Sequence, residues 1–171
     1  TLGIITEVQL RLSPIPENIM SAVCQFQNLD SAVLTAQEII QYGASVARIE
    51  LLNKDQMDIS IKYSNLENMD SLPTLFYEFH GSESTNKESI SVVEEISKNN
   101  GGSEFSWAST TEDRNKIWKA RHNVYYSVKA QGDGIRVYAT DVCVPISKLV
   151  ECIKFAENEI QNNGLKAPMV G

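Results

Sequence analysis

In this chain of 171 residues, the side chain best placed to do chemistry is Arg121. It follows Trp118 by three residues and precedes Tyr125 by four, a spacing that gathers all three near one helix face, and Arg114 and Lys129 extend the positive series. A guanidinium emerging among aromatic rings can grip a carboxylate bidentately. The same spacing suits an arginine paired with a surface Glu or Asp, and spacing alone leaves both readings open. Other chemistries find less support. His80 and His122 are the only histidines, they lie on different elements, and neither has a partner at metal-ligand spacing, so no complete metal site is expected in the chain. There is no G-x-S-x-G, and no cysteine has an evident histidine partner, which leaves covalent catalysis unsupported. Gly101-Gly102 and Gly132-Asp-Gly134 read as helix stops rather than phosphate cradles. Cys24, Cys143 and Cys152, odd in number and without C-x-x-C spacing, sit in apolar patterns and are expected as buried, reduced thiols.

The elements that must position Arg121 can be traced along the chain. Residues 4–12 alternate in polarity and predict a half-buried strand, stopped by Ser13-Pro-Ile-Pro16. Two prolines in that connector cannot donate to a ladder, and a domain boundary is placed there. The opening run has neither a Met nor an N-cap and resembles a cut edge. Beyond it, residues 19–26 predict a buried strand, and Asp30 or Ser31 is expected to cap a helix that Gly43 ends. A strand over 46–52, a helix over 54–63, an aromatic-rich strand over 74–80 and a helix over 83–99 follow. Residues 105–107 read as extended, and one long helix is expected from Thr110 or Thr111 to Lys129. A strand over 135–144, a helix from Pro145 to about Asn162 and an extended 167–170 complete the pattern. Alternating strands and helices with short turns predict an α+β fold, a ferredoxin-like antiparallel sheet with helices packed on it.

Composition bounds the function. With 42% hydrophobic and 22% charged residues the chain can bury one ordinary core. Its 15 Lys and Arg against 22 Asp and Glu, net −7, provide no general basic field, so nucleic-acid binding is disfavoured. No apolar run approaches the ~20 residues a membrane span needs, and no basic-then-apolar leader opens the chain.

Six segments in order carry a resemblance: Thr1-Leu-Gly-Ile-Ile-Thr6, Val46-Ala-Arg-Ile-Glu50, Phe76-Tyr-Glu-Phe-His-Gly81, Phe105-Ser-Trp-Ala108, Ile117-Trp-Lys-Ala-Arg-His-Asn123 and Thr140-Asp-Val-Cys-Val-Pro145. Together they resemble the flavin-dependent D-lactate dehydrogenases of the vanillyl-alcohol-oxidase-like flavoproteins. The resemblance implies that residues 1–16 are the C-terminal edge of an FAD-binding domain with its linker. Residues 17–171 are then the substrate-binding cap, the C-terminal domain of FAD-linked oxidases, truncated at its own C-terminal end. Thr1, Gly3, Ile4 and Ile5 become expected FAD contacts, since glycine lets backbone approach a cofactor closely.

Trp118-Lys-Ala-Arg121 is similar to the family segment whose arginine binds the substrate carboxylate, and Trp107 and Tyr125 are implied as pocket-lining residues. Related D-2-hydroxyglutarate enzymes carry a lysine where this chain has Ala139, two residues before Asp141, which argues for a small monocarboxylate such as D-lactate. The family continues into a His-x-Gly-Asp-Gly-Asn-x-His segment, so the ligands of a divalent metal, Zn or Mn, and a base histidine are expected outside this chain. His80 and His122 are expected to serve local hydrogen bonding. The implied reaction fixes the hydroxy acid with the metal and Arg121, removes the hydroxyl proton with a histidine and passes the α-hydrogen as hydride to the flavin. Cytochrome c or a quinone is the implied electron acceptor. Mitochondria are the implied compartment for a eukaryotic protein, with peripheral inner-membrane association, and otherwise the cytoplasm or a membrane surface. The alternatives are a sister dehydrogenase for D-2-hydroxyglutarate or glycolate and a non-catalytic α+β module that binds an acidic ligand through Arg121.

Overall fold

The computed structural model describes residues 3–12, 14–66 and 68–171. Its elements run β1 (Asn18–Gln25), α1 (Leu29–Tyr42), β2 (Arg48–Leu52), α2 (Lys54–Ser64), β3 (Thr74–Gly81), α3 (Glu83–Asn99), β4 (Ser106–Trp107), α4 (Thr111–His122) and α5 (Val124–Lys129). A short 3-10 turn (Ile146–Lys148) then leads into α6 (Leu149–Asn162). The strands form one sheet in the order β2-β3-β1-β4, and every neighbouring pair is antiparallel. This is the ferredoxin-like order, with α2 inserted where a plain hairpin would join β2 to β3.

Local chemistry explains most boundaries. Asn28, rather than Asp30 or Ser31, caps α1 by accepting the Ser31 N–H at 2.8 Å, which leaves Asp30 in the first turn where an acid favours the helix dipole. Gly43 closes α1 at φ 79°, a left-handed conformation that a Cβ would strain. The helix expected over 110–129 is divided at Asn123, whose ψ of 5° departs from the helical value. Next to that break, the His122 ring Nδ1 donates to the Trp118 carbonyl at 2.6 Å and so shares an acceptor with the helical ladder.

Two expected strands do not form. Residues 4–12 and 135–144 carry no regular secondary structure and expose Ile4, Leu12, Tyr138 and Val142. Alternating polarity sets the two faces of a strand, but a strand also needs a free edge to pair with. The outer edge of β2 is occupied by the chain's last residues, since Leu51 and Gly171 exchange backbone hydrogen bonds at 2.6 and 3.0 Å and Val170 bridges Leu52. The opposite edge strand, β4, is only 2 residues long. Of the cysteines, Cys24 is buried, Cys152 is partly buried and Cys143 is exposed, so the expectation of buried thiols holds fully for Cys24 alone.

The two faces of the sheet are covered differently. Met20, Cys24, Leu75, Tyr77, Phe79 and Leu51 meet α1, α3 and α6 through Val33, Ile39, Val93 and Ile153. Within that core the Tyr77 hydroxyl is satisfied by Ser97 Oγ at 3.1 Å. On the other face, Val23, Leu52 and Phe76 meet Met57 of α2, Ile117 and Trp118 of α4, and Val124 of α5.

Candidate functional site

That second face is only partly apolar, because each strand brings polar side chains to it by alternation. The registers align Arg48 of β2 with Glu78 of β3, and Glu78 with Ser21 of β1, so a row of polar groups crosses three strands. Glu78 is 3% exposed, and a carboxylate buried that deeply needs compensating partners. It has them: Arg48 Nη2 at 3.1 Å and His80 Nε2 at 2.8 Å meet its Oε1, and Ser21 Oγ donates to Oε2 at 3.4 Å.

Helix α4 closes over this row. It begins in a capping box, with the Thr110 hydroxyl accepting the Asp113 N–H and the Asp113 carboxylate accepting the Thr110 N–H, so its start is fixed by two reciprocal bonds. Trp118 lies seven residues on from the start at Thr111 and is pinned at both edge and face. Its indole N–H donates to Ser21 Oγ at 3.2 Å, and the Arg48 guanidinium carbon stands 4.6 Å from its ring centroid. One turn later, Arg121 reaches Glu50 of β2. Its Nε donates to Glu50 Oε2 at 2.8 Å and its Nη2 lies 2.6 Å from the same oxygen. The two side chains are 21% and 29% exposed, so the pair sits at the rim of the buried row rather than in open solvent.

The arginine thus has the acidic partner that spacing allowed. The pairing uses one edge of the guanidinium, Nε with Nη2. Nη1 and the second Nη2 proton make no hydrogen bond among the described residues. Those remaining donors form the end-on fork that matches a carboxylate.

The other expected residues are distributed less simply. Trp107 is not brought to Arg121. It pairs with Ala22 on β1 and packs against Phe79 and Phe105 on the α1/α3 face, with Phe105 at a centroid distance of 5.7 Å. The reason is strand parity: Ser21 and Ala22 are neighbours, and neighbouring residues point to opposite faces. Tyr125 is 45% exposed on α5 and stands edge-on to Tyr126 at 5.6 Å. His80 and His122 are both in local hydrogen bonds, to Glu78 and to the Trp118 carbonyl. Among the described residues, no group of three His, Cys, Asp or Glu is placed to hold a metal ion. No helix among them is long and apolar enough to cross a membrane.

Arg48, Glu50, Glu78 and Ser21 escaped the reading of the sequence. The available signal was Arg48-x-Glu50 and Glu78-x-His80, each placing two ionisable groups on one face of an apolar strand.

A family model described as "FAD linked oxidases, C-terminal domain" matches residues 15–171. The chain belongs to this FAD-linked oxidase family. It is 44% identical over its whole length to a probable mitochondrial D-lactate dehydrogenase of Danio rerio, and 35% identical over 99% of its length to the mitochondrial D-lactate dehydrogenase [cytochrome] of Arabidopsis thaliana. It spans about a third of those relatives, 34% and 30% of their lengths. A solved alkyldihydroxyacetonephosphate synthase shares the fold, with a TM-score of 0.61 at 12% identity over 87% of this chain and 32% of that one.

FAD is the group this family name implies. Of the residues expected to touch it, Thr1 lies outside the described residues. Gly3 has open space where a Cβ would stand, and Ile4 and Ile5 are 91% and 81% exposed. Accessible backbone beside accessible apolar side chains fits contact with a flat aromatic cofactor. The divalent metal is different, because the described residues offer it no ligand set.

Proposed function

We propose that this chain is the substrate-holding cap of a flavin-dependent dehydrogenase that oxidises D-lactate to pyruvate. Residues 1–16 are the trailing edge of the FAD-binding domain and its linker, and residues 17–171 are the cap. The observation that carries the reading is Arg121, partly exposed and held by Glu50 through its Nε/Nη2 edge, which leaves the Nη1/Nη2 fork without a hydrogen bond among the described residues. The mitochondrial D-lactate dehydrogenases among the relatives support the choice of substrate and compartment.

In this reading Arg121 binds the carboxylate of the hydroxy acid and orients its α-carbon. Tyr125, exposed on the helix that follows, is assigned to the lining of the ligand site. Gly3, Ile4 and Ile5 contact FAD, which when bound supplies the acceptor for the hydride. Ala139 stands where related D-2-hydroxyglutarate enzymes carry a lysine, so no second cation is placed at that position and a monocarboxylate suits the site better than a dicarboxylate. Metal ligands and the proton-accepting histidine are assigned to residues outside this chain. The electrons pass on to cytochrome c or a quinone.

The test is anaerobic flavin bleaching in the full-length protein, wild type and Arg121→Ala, titrated with D-lactate, L-lactate, glycolate and D-2-hydroxyglutarate. D-lactate alone should bleach the flavin, and the substitution should raise the concentration required about a hundredfold, or about 2–3 kcal/mol for a lost charged hydrogen-bond pair. Bleaching by another acid replaces the substrate. Failure to bind flavin returns the chain to the non-catalytic binding-module reading.

A further inference from the structure

We propose that Glu50 is the positioning residue of Arg121, setting which edge of the guanidinium is presented to the ligand; the inference rests on the proposed role of Arg121 in holding a 2-hydroxy acid. A guanidinium has more than one edge able to take a carboxylate with two hydrogen bonds. Glu50 occupies the Nε/Nη2 edge with a single oxygen, Oε2, at 2.8 and 2.6 Å. Bidentate binding of an incoming carboxylate is thereby confined to the Nη1/Nη2 end. The ligand need not break the existing pair to bind.

The placement is held from both sides. Glu50 sits within β2, in register with Phe76 of β3, so its backbone belongs to the sheet rather than to a loop. Arg48, two residues earlier and on the same face, covers the Trp118 ring. Residues three apart on α4 are therefore held by residues two apart on β2, Trp118 by Arg48 and Arg121 by Glu50. An arginine side chain has many rotamers, and a pair that selects one of them ahead of binding removes an ordering cost from the ligand. Partial burial of both groups shields the pair from the screening that weakens exposed ion pairs.

The experiment is anaerobic flavin reduction by D-lactate in the full-length, FAD-loaded protein. Its variants are Glu50→Ala, Glu50→Gln and Glu50→Met, each also combined with Arg121→Ala. Glu50→Ala should raise the half-saturating D-lactate concentration at least about tenfold, equivalent to about 1.4 kcal/mol, while the limiting reduction rate changes by less than about threefold. Glu50→Gln keeps an oxygen that accepts from Nε and Nη2 and should recover most of the loss. Glu50→Met keeps the length without the acceptor and gives the same contrast if the alanine variant does not fold. In the Arg121→Ala background the Glu50 substitutions should add nothing. An unchanged or lowered half-saturating concentration in Glu50→Ala overturns the inference, as does an equal loss with Arg121 absent. If Arg121→Ala itself leaves the D-lactate dependence untouched, the proposed function fails and takes the inference with it.

Discussion

Arg48 serves Trp118 and Glu78 at once: its guanidinium carbon is 4.6 Å from the Trp118 ring centroid and its Nη2 is 3.1 Å from the Glu78 carboxylate. One side chain on β2 thus ties α4 to the sheet and neutralises a buried acid on β3. A plane of delocalised charge can do both, since its face lies on the indole while its edge donates to the carboxylate.

Arg48→Ala should therefore cost more than an ordinary surface arginine. It leaves Glu78 buried with the His80 ring and the Ser21 hydroxyl as its remaining partners and uncovers the face of Trp118. Arg48 is 43% exposed, which reduces the cost below that of a fully buried pair, to about 1–3 kcal/mol. A lowered melting temperature and a shift in tryptophan emission of the full-length protein would report it. Arg48→Lys should recover only part, because an ammonium lacks the planar fork.

Trp107→Ala is expected to separate packing from ligand binding. The partly buried ring packs at a tilt against Phe79 and Phe105 on the face away from Arg121, so its loss should destabilise that layer by about 3 kcal/mol, the low end of the range for large core truncations. Amide exchange in β1 and β4 should accelerate. The half-saturating D-lactate concentration should remain at the wild-type value in flavin-bleaching titrations, whereas a large increase would return Trp107 to the ligand site.

Cys24 should be the least reactive of the three thiols. Burial pushes its pKa up to about 11 from 9.0, against a smaller opposing effect of its hydrogen bonds with Ser103. Alkylation of the native protein at pH 8, followed by mass spectrometry, should label exposed Cys143 first and Cys24 only on unfolding. The same shift has a consequence for stability. The unfolded chain loses the Cys24 proton near pH 9 while the folded chain keeps it to about pH 11, so this contribution is complete below pH 9 and is lost as pH rises across that window. Cys24→Ala should remove that part of the alkaline decline in melting temperature.

Much of the architecture was legible because local signals agreed with the fold. The apolar run in 19–26, the aromatic run in 74–80, the helical stripe in 83–99 and the glycine at 43 each specify their element through residues close in sequence, and all correspond to elements of the sheet and its helices. The strands expected over 4–12 and 135–144 show the limit of that reasoning. A polarity pattern such as that of 4–12 sets the faces of a strand without supplying a partner edge, and neither segment pairs with β1–β4.

The site divides in the same way. From sequence alone, helical spacing determined that Trp118 and Arg121 share a face of α4, and the six ordered segments determined the family to which the chain is similar. Only the tertiary structure decided that Glu50 is the partner of Arg121, that Arg48, Glu78 and Ser21 form one row beneath Trp118, and that Trp107 lies on the far side of the sheet. The reason is the range of the interactions. A helix face depends on residues three and four apart, whereas Glu50 and Arg121 are 71 positions apart and Ser21 and Trp118 are 97 apart, and strand order and register alone bring them together.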